Sequence, residues 1–187
     1  MQDLSKNSSK SQTIEFFRLS VTLLLIAGIM SLIVAFVNNL TEPTIKSINV
    51  EKTEKALVAV LPEADGFESV DFKTDSDIVE GVWRAKNDVG FCVKVCPKGY
   101  GGKIETIVGF DIDGKVVGSE IVSMSETSGI GTKIQDDSFK KQFDGIDSTD
   151  NVVTVSGATR SSKAYINGID AAIETVNDLI RGESDGK

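Results

Sequence analysis

The sequence predicts an α+β protein, in which one N-terminal transmembrane helix precedes a domain whose antiparallel sheet is packed by helices. Three observations predict this class: a long uncharged apolar run near the start, two pairs of β-rich segments joined by short turns, and an amphipathic helical stripe near the end. The predicted boundaries are 1–18 for the N-terminal segment, 19–40 for the transmembrane helix, 41–64 for a juxtamembrane helix or linker, 65–182 for the domain and 183–187 for a polar tail.

The apolar run from Leu19 to Thr41 contains 23 residues and no charged side chain. As an α-helix it would be about 35 Å long, enough to cross a hydrocarbon core of about 30 Å. A cleaved signal peptide would have a shorter apolar region and a small-x-small cleavage site, and "VAFVNN" at Val34–Asn39 makes a poor site. We therefore expect a retained single span.

The distribution of charge predicts how this span is oriented. Lys6, Lys10 and Arg18 precede it, and the first basic residue after it is Lys46. Basic residues favour the cytoplasmic side, so we expect residues 1–18 in the cytoplasm and the domain outside, anchored to the cytoplasmic membrane. Residues 41–187 carry 17 basic and 26 acidic side chains, a net charge of −9, so the domain should not lie flat on an anionic membrane.

After the span, a juxtamembrane helix is predicted, with Thr41 or Thr44 as its cap, Pro43 in its first turn and Pro62 at its end. Two hairpins should follow. "GVWRAK" and "VGFCVKV" flank Asn87-Asp88, and "IETIVGFDI" and "KVVGSEIVSM" flank Asp113-Gly114. The second signal is the stronger one, because glycine accepts the positive φ that a tight turn needs.

The C-terminal third predicts two helices and one more strand. "DDSFKKQFDG" (136–145) should be a short helix with Phe139 and Phe143 on one face, and "NVVTV" (151–155) the last strand. A helix from Thr159 to about Ile180 is indicated by one apolar stripe, made of Ile166, Ile169, Ala172, Ile173, Val176 and Ile180. The polar tail after it should be frayed.

Composition excludes several function classes. The chain has no histidine, which excludes Ser-His-Asp and Cys-His catalysis and any His-ligated metal or haem. Its net charge of −8 argues against nucleic-acid binding. Cys92 and Cys96 would lie on one strand face about 13 Å apart, too far for a disulfide. We expect no metal site, and the remaining alternative is that the two thiols help to hold an iron–sulfur cluster with another subunit.

Three stretches are rich in glycine and hydroxyl residues: "KGYGGKI" (98–104), "SETSGIGTKI" (125–134) and "SGATRSS" (156–162). At the third, the free N–H groups of a helix N-terminus, Gly157 and the cation of Arg160 make a credible anion site. Simple capping by Thr159 or Ser161 explains the same residues. The second stretch could hold a phosphate or a ring edge through its N–H groups, or be a flexible loop. Tyr100 among glycines could present an aromatic face or mark a turn.

These stretches resemble the motifs of one family, in the same order and at similar spacing. "SGATRSS" resembles the S/T-G-A-T-x-S/T flavinylation motif, "SETSGIGTKI" the E-T-P-G-L-G-x-K-I loop, and "GYGGKIETIVGFDIDGKVVG" the G-Y-G-G hairpin. With its single span, the chain resembles the G subunit of Rnf-type ion-translocating electron transport complexes. It is more distantly similar to the C subunit of the sodium-translocating NADH:quinone oxidoreductase.

The resemblance implies that FMN is attached to Thr159 by a phosphoester bond, installed from FAD by a separate flavin transferase. The implied flavin-contacting residues lie in the same three stretches: Ser156, Gly157, Ala158, Arg160, Ser161, Ser162, Glu126, Thr127, Gly129, Ile130, Gly131, Lys133, Tyr100 and Gly101. Ser128 stands where the family often has proline, and Met124 where it often has histidine.

The implied function is electron transfer through this FMN within a membrane complex that couples ferredoxin:NAD⁺ oxidoreduction to Na⁺ or H⁺ movement. No turnover is expected from the chain alone. The implied partners are the other membrane and redox subunits, the flavin transferase and lipid. Two alternatives are a stand-alone anchored flavoprotein that feeds an extracellular reductase, and a flavin-free sensor or adhesion domain.

Overall fold

The computed structural model describes residues 3–72, 74 and 76–185. The chain divides into two compact units, Met1–Ile48 and Asn49–Lys187. The first helix, α1, runs from Asp3 to Val60. Within it, the 27 residues Phe16–Glu42 form a segment that is long and apolar enough to cross a membrane, with none of its most apolar stretch buried in the protein.

No separate helix begins after the span, so the expected cap at Thr41 or Thr44 is wrong. α1 is continuous through these residues and through Pro43. The Thr41 hydroxyl donates to the Val37 carbonyl at 2.8 Å, the bond typical of a threonine inside a helix. A proline removes one backbone donor, and that single loss does not outweigh the helical turns on either side. The helix ends before Pro62, as expected.

The sheet of the second unit is a five-stranded meander. Its strands are β1 (Phe67–Ser69), β2 (Val79–Ala85), β3 (Gly90–Val95), β4 (Ile104–Asp111) and β5 (Val116–Met124). They lie in chain order, and each neighbouring pair is antiparallel. This confirms the α+β class and both predicted hairpins.

Both hairpin turns use left-handed backbone, at Asp88 (φ 58°) and Gly114 (φ 79°). β1 was not anticipated, because three residues are too few to show an alternating pattern.

Four helical segments follow the sheet. A 3₁₀ turn at Gly131–Gln135 leads into α2 (Asp137–Lys140), which continues as a 3₁₀ turn at Lys141–Phe143. The rings of Phe139 and Phe143 meet edge to face at 5.3 Å, as their spacing predicted. The last helix, α3, runs from Thr159 to Asp185, so three residues assigned to the polar tail are helical, and the last two lie outside the described residues.

The predicted strand at 151–155 is wrong. This segment forms no strand. Its central residue, Val153, exchanges two hydrogen bonds with the side-chain amide of Gln142, at 2.9 and 3.2 Å. A side chain therefore satisfies the backbone groups that a neighbouring strand would otherwise have paired.

The two faces of the sheet pack against different helices. Val93, Val108 and Phe110 belong to a core with α3 residues such as Ile169 and Val176. On the opposite face, the smaller core includes Cys92 and Ile107, with Leu57, Val60 and Leu61 from the end of α1 and just beyond it. The period of two along each strand separates these cores. α3 is thereby held against the sheet, with its N-terminus near the loops that carry the candidate site.

Candidate functional site

The fold brings the three glycine- and hydroxyl-rich stretches together around one cavity. They lie between β3 and β4, after β5, and at the start of α3. The cavity has a volume of about 410 Å³, within the range of roughly 300–1,000 Å³ typical of small-molecule sites. It is lined by Tyr100, Glu126, Thr127, Ile130, Gly131, Gly157, Ala158, Arg160 and Ser161.

The N-terminus of α3 contributes unpaired backbone donors. Gly157 has a φ of 81°, and the Ala158 N–H donates back to the Val155 carbonyl at 3.0 Å, so that the helix begins at Thr159. Within the part of the chain that the structure describes, the N–H groups of residues 159, 160 and 161 have no acceptor. Free N–H groups and the positive end of the helix dipole favour an anion.

Among the residues that the structure describes, no hydroxyl caps α3, so simple capping does not account for the motif. The Ser162 hydroxyl donates to the Ala158 carbonyl at 2.9 Å and accepts from the Val155 N–H at 3.1 Å. The Ser161 hydroxyl donates to Glu126 instead. Both serines are buried and hold the start of α3 in place.

Thr159 is exposed at the first position of α3, and within the described residues its hydroxyl has no hydrogen-bond partner. It does not line the cavity itself, but its neighbours Ala158 and Arg160 do. The Arg160 guanidinium carbon lies 5.8 Å from the centre of the Tyr100 ring, a cation–π distance. The start of α3 therefore offers an accessible hydroxyl and a cation beside the cavity.

The Glu126 carboxylate connects all three stretches. It accepts from the Tyr100 N–H at 2.8 Å and from the Gly101 N–H at 3.3 Å to each oxygen. It also accepts from the Ser161 hydroxyl at 2.9 Å. Gly101 thus contributes its backbone N–H to the site and does not line the cavity.

The loop after β5 contributes Thr127, Ile130 and Gly131 to the cavity lining. The Thr127 carbonyl accepts from the N–H groups of Ile130 and Gly131 at 3.2 and 2.9 Å, in a tight turn. Gly129, with a φ of 75°, occupies the turn and donates its N–H to the Thr132 hydroxyl at 2.9 Å. Ile130 and Tyr100 line the cavity while remaining 53% and 68% exposed. Two large apolar side chains at an open cavity offer contact area for a planar ring.

Besides Thr159, Gly101 and Gly129, which are described above, three more residues implied by the resemblance lie outside the cavity lining. Lys133 is exposed in the 3₁₀ turn, Ser156 is exposed before Gly157, and Ser162 is buried beneath the helix start. Sequence reasoning missed Gly99 and Thr132. The signal for Gly99 was present, since it is the first glycine of "KGYGG", but the reason for it is spatial: a Cβ there would overlap a Glu126 carboxylate oxygen.

The two cysteines are free and buried, in keeping with the expectation that they form no disulfide. Burial raises the pKa of the Cys92 thiol to about 12. The pKa of the Cys96 thiol is raised to about 11, mainly by burial and secondly by its hydrogen bond to the Glu80 carboxylate. Metal ligation uses the thiolate, which these pKa values disfavour. Among the described residues, no group of three or more His, Cys, Asp or Glu side chains could hold a metal ion.

Comparison with known proteins matches a family model to the part of the chain that contains the cavity loops. The family described as "FMN-binding domain" matches residues 99–174, a range that begins in the first cavity loop and includes both others. A relative from Clostridium ljungdahlii is named as the G subunit of a proton-translocating ferredoxin:NAD(+) oxidoreductase complex. It is 30% identical over 178 residues, covering 89% of this chain and 95% of its own length. The chain belongs to this family of G subunits.

Two further relatives span a similar share of the chain. In Acetobacterium woodii, the G subunit of a Na(+)-translocating ferredoxin:NAD(+) oxidoreductase complex is 28% identical, covering 87% of this chain and 92% of its own. In Methanosarcina acetivorans, the G subunit of an ion-translocating oxidoreductase complex is 27% identical, covering 89% and 97%. The match thus extends over nearly the full length of each relative.

Proposed function

We propose that this chain, as a member of that family, transfers electrons through an FMN group joined to Thr159 by a phosphoester bond. It would act within a membrane complex that couples ferredoxin:NAD⁺ oxidoreduction to Na⁺ or H⁺ movement. The observation that carries the proposal is the start of α3, where an exposed hydroxyl and three N–H groups, all without a hydrogen-bond partner among the described residues, lie beside a cavity. That helix start falls inside the range matched by the FMN-binding family.

The residues present fit each part of FMN. A phosphoester keeps one negative charge, which the free N–H groups of α3 and the Arg160 guanidinium would stabilise. Ile130 and Tyr100 would contact the apolar ring, and the backbone of the loop at Thr127–Gly131 would approach its edge. When bound, FMN supplies the redox chemistry, while the protein binds and orients it.

The proposal includes the membrane arrangement and the partners. Residues 19–40, within the apolar segment Phe16–Glu42, would cross the cytoplasmic membrane with residues 1–18 inside and the domain outside, since Lys6, Lys10 and Arg18 precede residue 19. A covalent bond would retain FMN where free flavin is lost by diffusion. A flavin transferase would attach it, and the other redox subunits would donate and accept its electrons. Co-purification of those subunits would distinguish this role from that of a stand-alone flavoprotein.

Removal of the Thr159 hydroxyl tests the site. The full-length chain is co-expressed with a flavin transferase, and flavin is measured by intact mass and by fluorescence of the denatured protein in a gel. Wild type should gain the mass of FMN, and Thr159→Ala should gain none. Ser138→Ala, which removes an exposed hydroxyl of α2 outside the cavity lining, should retain the flavin. Wild type without flavin would overturn the cofactor, and Thr159→Ala with flavin would overturn the attachment residue.

A further inference from the structure

The Glu126 carboxylate is the place where the three cavity loops are joined to one another. It receives two backbone N–H groups, from Tyr100 and Gly101, and the hydroxyl of Ser161. These donors come from separate parts of the chain: Tyr100 lies 26 residues before Glu126, and Ser161 lies 35 residues after it. Hydrogen bonds to a charged acceptor are stronger than those between neutral groups.

The neighbouring loops are shaped to admit this carboxylate. A Cβ at Gly131 would lie 2.6 Å from a Glu126 carboxylate oxygen, and one at Gly99 would overlap the other oxygen. A Cβ at Gly102 would lie 2.6 Å from the Ser125 side chain, and one at Gly101 would overlap the Ser125 carbonyl. At Gly101 and Gly131 the close contacts include the Ser125 carbonyl oxygen and the Glu126 Cβ, so an added Cβ would force a loop to shift; at Gly99 the Glu126 carboxylate would have to move.

A carboxylate is unexpected in the lining of a cavity that is proposed to bind an anion. Glu126 and Arg160 are the two charged residues of the cavity lining, and an uncompensated carboxylate would repel a phosphate. The three donors compensate its charge and so reduce this repulsion. Through the Tyr100 N–H it also holds the residue whose ring lies beside Arg160.

We propose that Glu126 is the positioning residue of this site. Its carboxylate joins the loop at 98–104 to the start of α3, and so forms the cavity before any cofactor is attached. The role in flavin attachment rests on the function proposed above, whereas the joining of the loops does not. The two parts can therefore fail separately.

The joining of the loops is tested on the full-length chain, purified in detergent without flavin transferase. Amide hydrogen exchange is measured for the segment 98–104. Glu126→Ala should speed exchange at Tyr100 and Gly101 about tenfold, the equivalent of one lost hydrogen bond. Glu126→Gln should stay close to wild type, because the amide oxygen still accepts and the amide nitrogen can donate to Ser161. Glu174→Ala, which removes an exposed carboxylate of α3, is the matched control and should change nothing.

The role in cofactor attachment is tested on the same proteins by adding FAD and flavin transferase and following the gain of mass. The initial rate should fall at least about tenfold in Glu126→Ala and recover in Glu126→Gln. Wild-type exchange or a wild-type rate in Glu126→Ala would overturn the proposal, and so would failure of Gln to restore the rate. If wild type itself accepts no flavin, the cofactor proposal fails and the exchange measurement still decides whether Glu126 joins the loops.

A second variant covers the case in which Glu126→Ala does not fold. Ser161→Ala removes only the link between Glu126 and α3 and leaves the bonds to Tyr100 and Gly101. It should melt cooperatively near the wild-type temperature and accept flavin more slowly. Cooperative melting with an unchanged rate of attachment would then overturn the proposal.

Discussion

At the scale of single residues, the buried polar groups of the domain differ in whether they have a partner. Thr106, in β4, is 1% exposed, and its hydroxyl is the buried side-chain atom without a hydrogen-bond partner in the described part of the chain. Thr149, which is 8% exposed, donates its hydroxyl to the Asp170 carboxylate. A buried hydroxyl stabilises the fold only when it is hydrogen-bonded.

Thr106→Val should therefore raise the free energy of unfolding by about 1 kcal/mol, because it replaces an unpartnered hydroxyl with a methyl group of similar shape. Thr149→Val should lower it by about 1.5 kcal/mol, because Asp170 loses a donor. Urea unfolding followed through the fluorescence of Trp83, the one tryptophan of the chain, measures both. A shift in the same direction for the two variants would contradict this account of Thr106.

At the scale of elements, the end of α1 packs against the sheet through two glycines. Gly109 in β4 and Gly118 in β5 lie opposite each other in the register. A Cβ at Gly109 would be 3.0 Å from the Val60 carbonyl oxygen and 3.2 Å from the Val60 side chain, whereas one at Gly118 would be no closer than 3.6 Å. The paired glycines thus differ in how closely the helix end approaches them.

Gly109→Ala should lower the free energy of unfolding by about 1–3 kcal/mol, because the added methyl group would force the end of α1 away from the sheet. Gly118→Ala should be neutral or slightly stabilising, since its methyl group makes an ordinary contact and restricts the unfolded chain. Chemical denaturation of the two variants under identical conditions makes the comparison. Equal losses of stability would show that the close contact at Val60 has no energetic consequence.

At the scale of the whole molecule, the proposed side of the membrane on which the domain lies rests on the charges around the apolar segment. Lys6, Lys10 and Arg18 precede the apolar segment Phe16–Glu42 or lie at its start, and Lys46 is the first basic residue after it. A reporter that functions only outside the cytoplasm should be active when fused after Lys187, and inactive when fused before Met1.

The matched control replaces the three basic residues before the span with alanine. The C-terminal reporter should then lose activity, because the charge difference that orients the span is gone. Activity of the N-terminal fusion in the unaltered chain would contradict the proposed orientation.

Local patterns were sufficient to predict most of the elements. Each of these patterns lies within one continuous stretch of sequence, so it can be recognised without knowing the fold. They are the turns at Asp88 and Gly114, the apolar stripe of α3 and the uncharged run of α1. The segment 151–155 has the composition of a strand, but the Gln142 amide satisfies its backbone. That interaction joins residues 11 apart, which no local pattern reveals.

The sequence by itself determined which stretches carry the site and, through their resemblance to a family, which hydroxyl is implied as the attachment point. Only the tertiary structure decided how they are arranged. It joined the three stretches through Glu126, left the first N–H groups of α3 without acceptors, and placed Lys133 outside the cavity lining. The physical reason is that residue type and spacing act along the chain, whereas a hydrogen bond to a carboxylate depends on distances that only packing establishes.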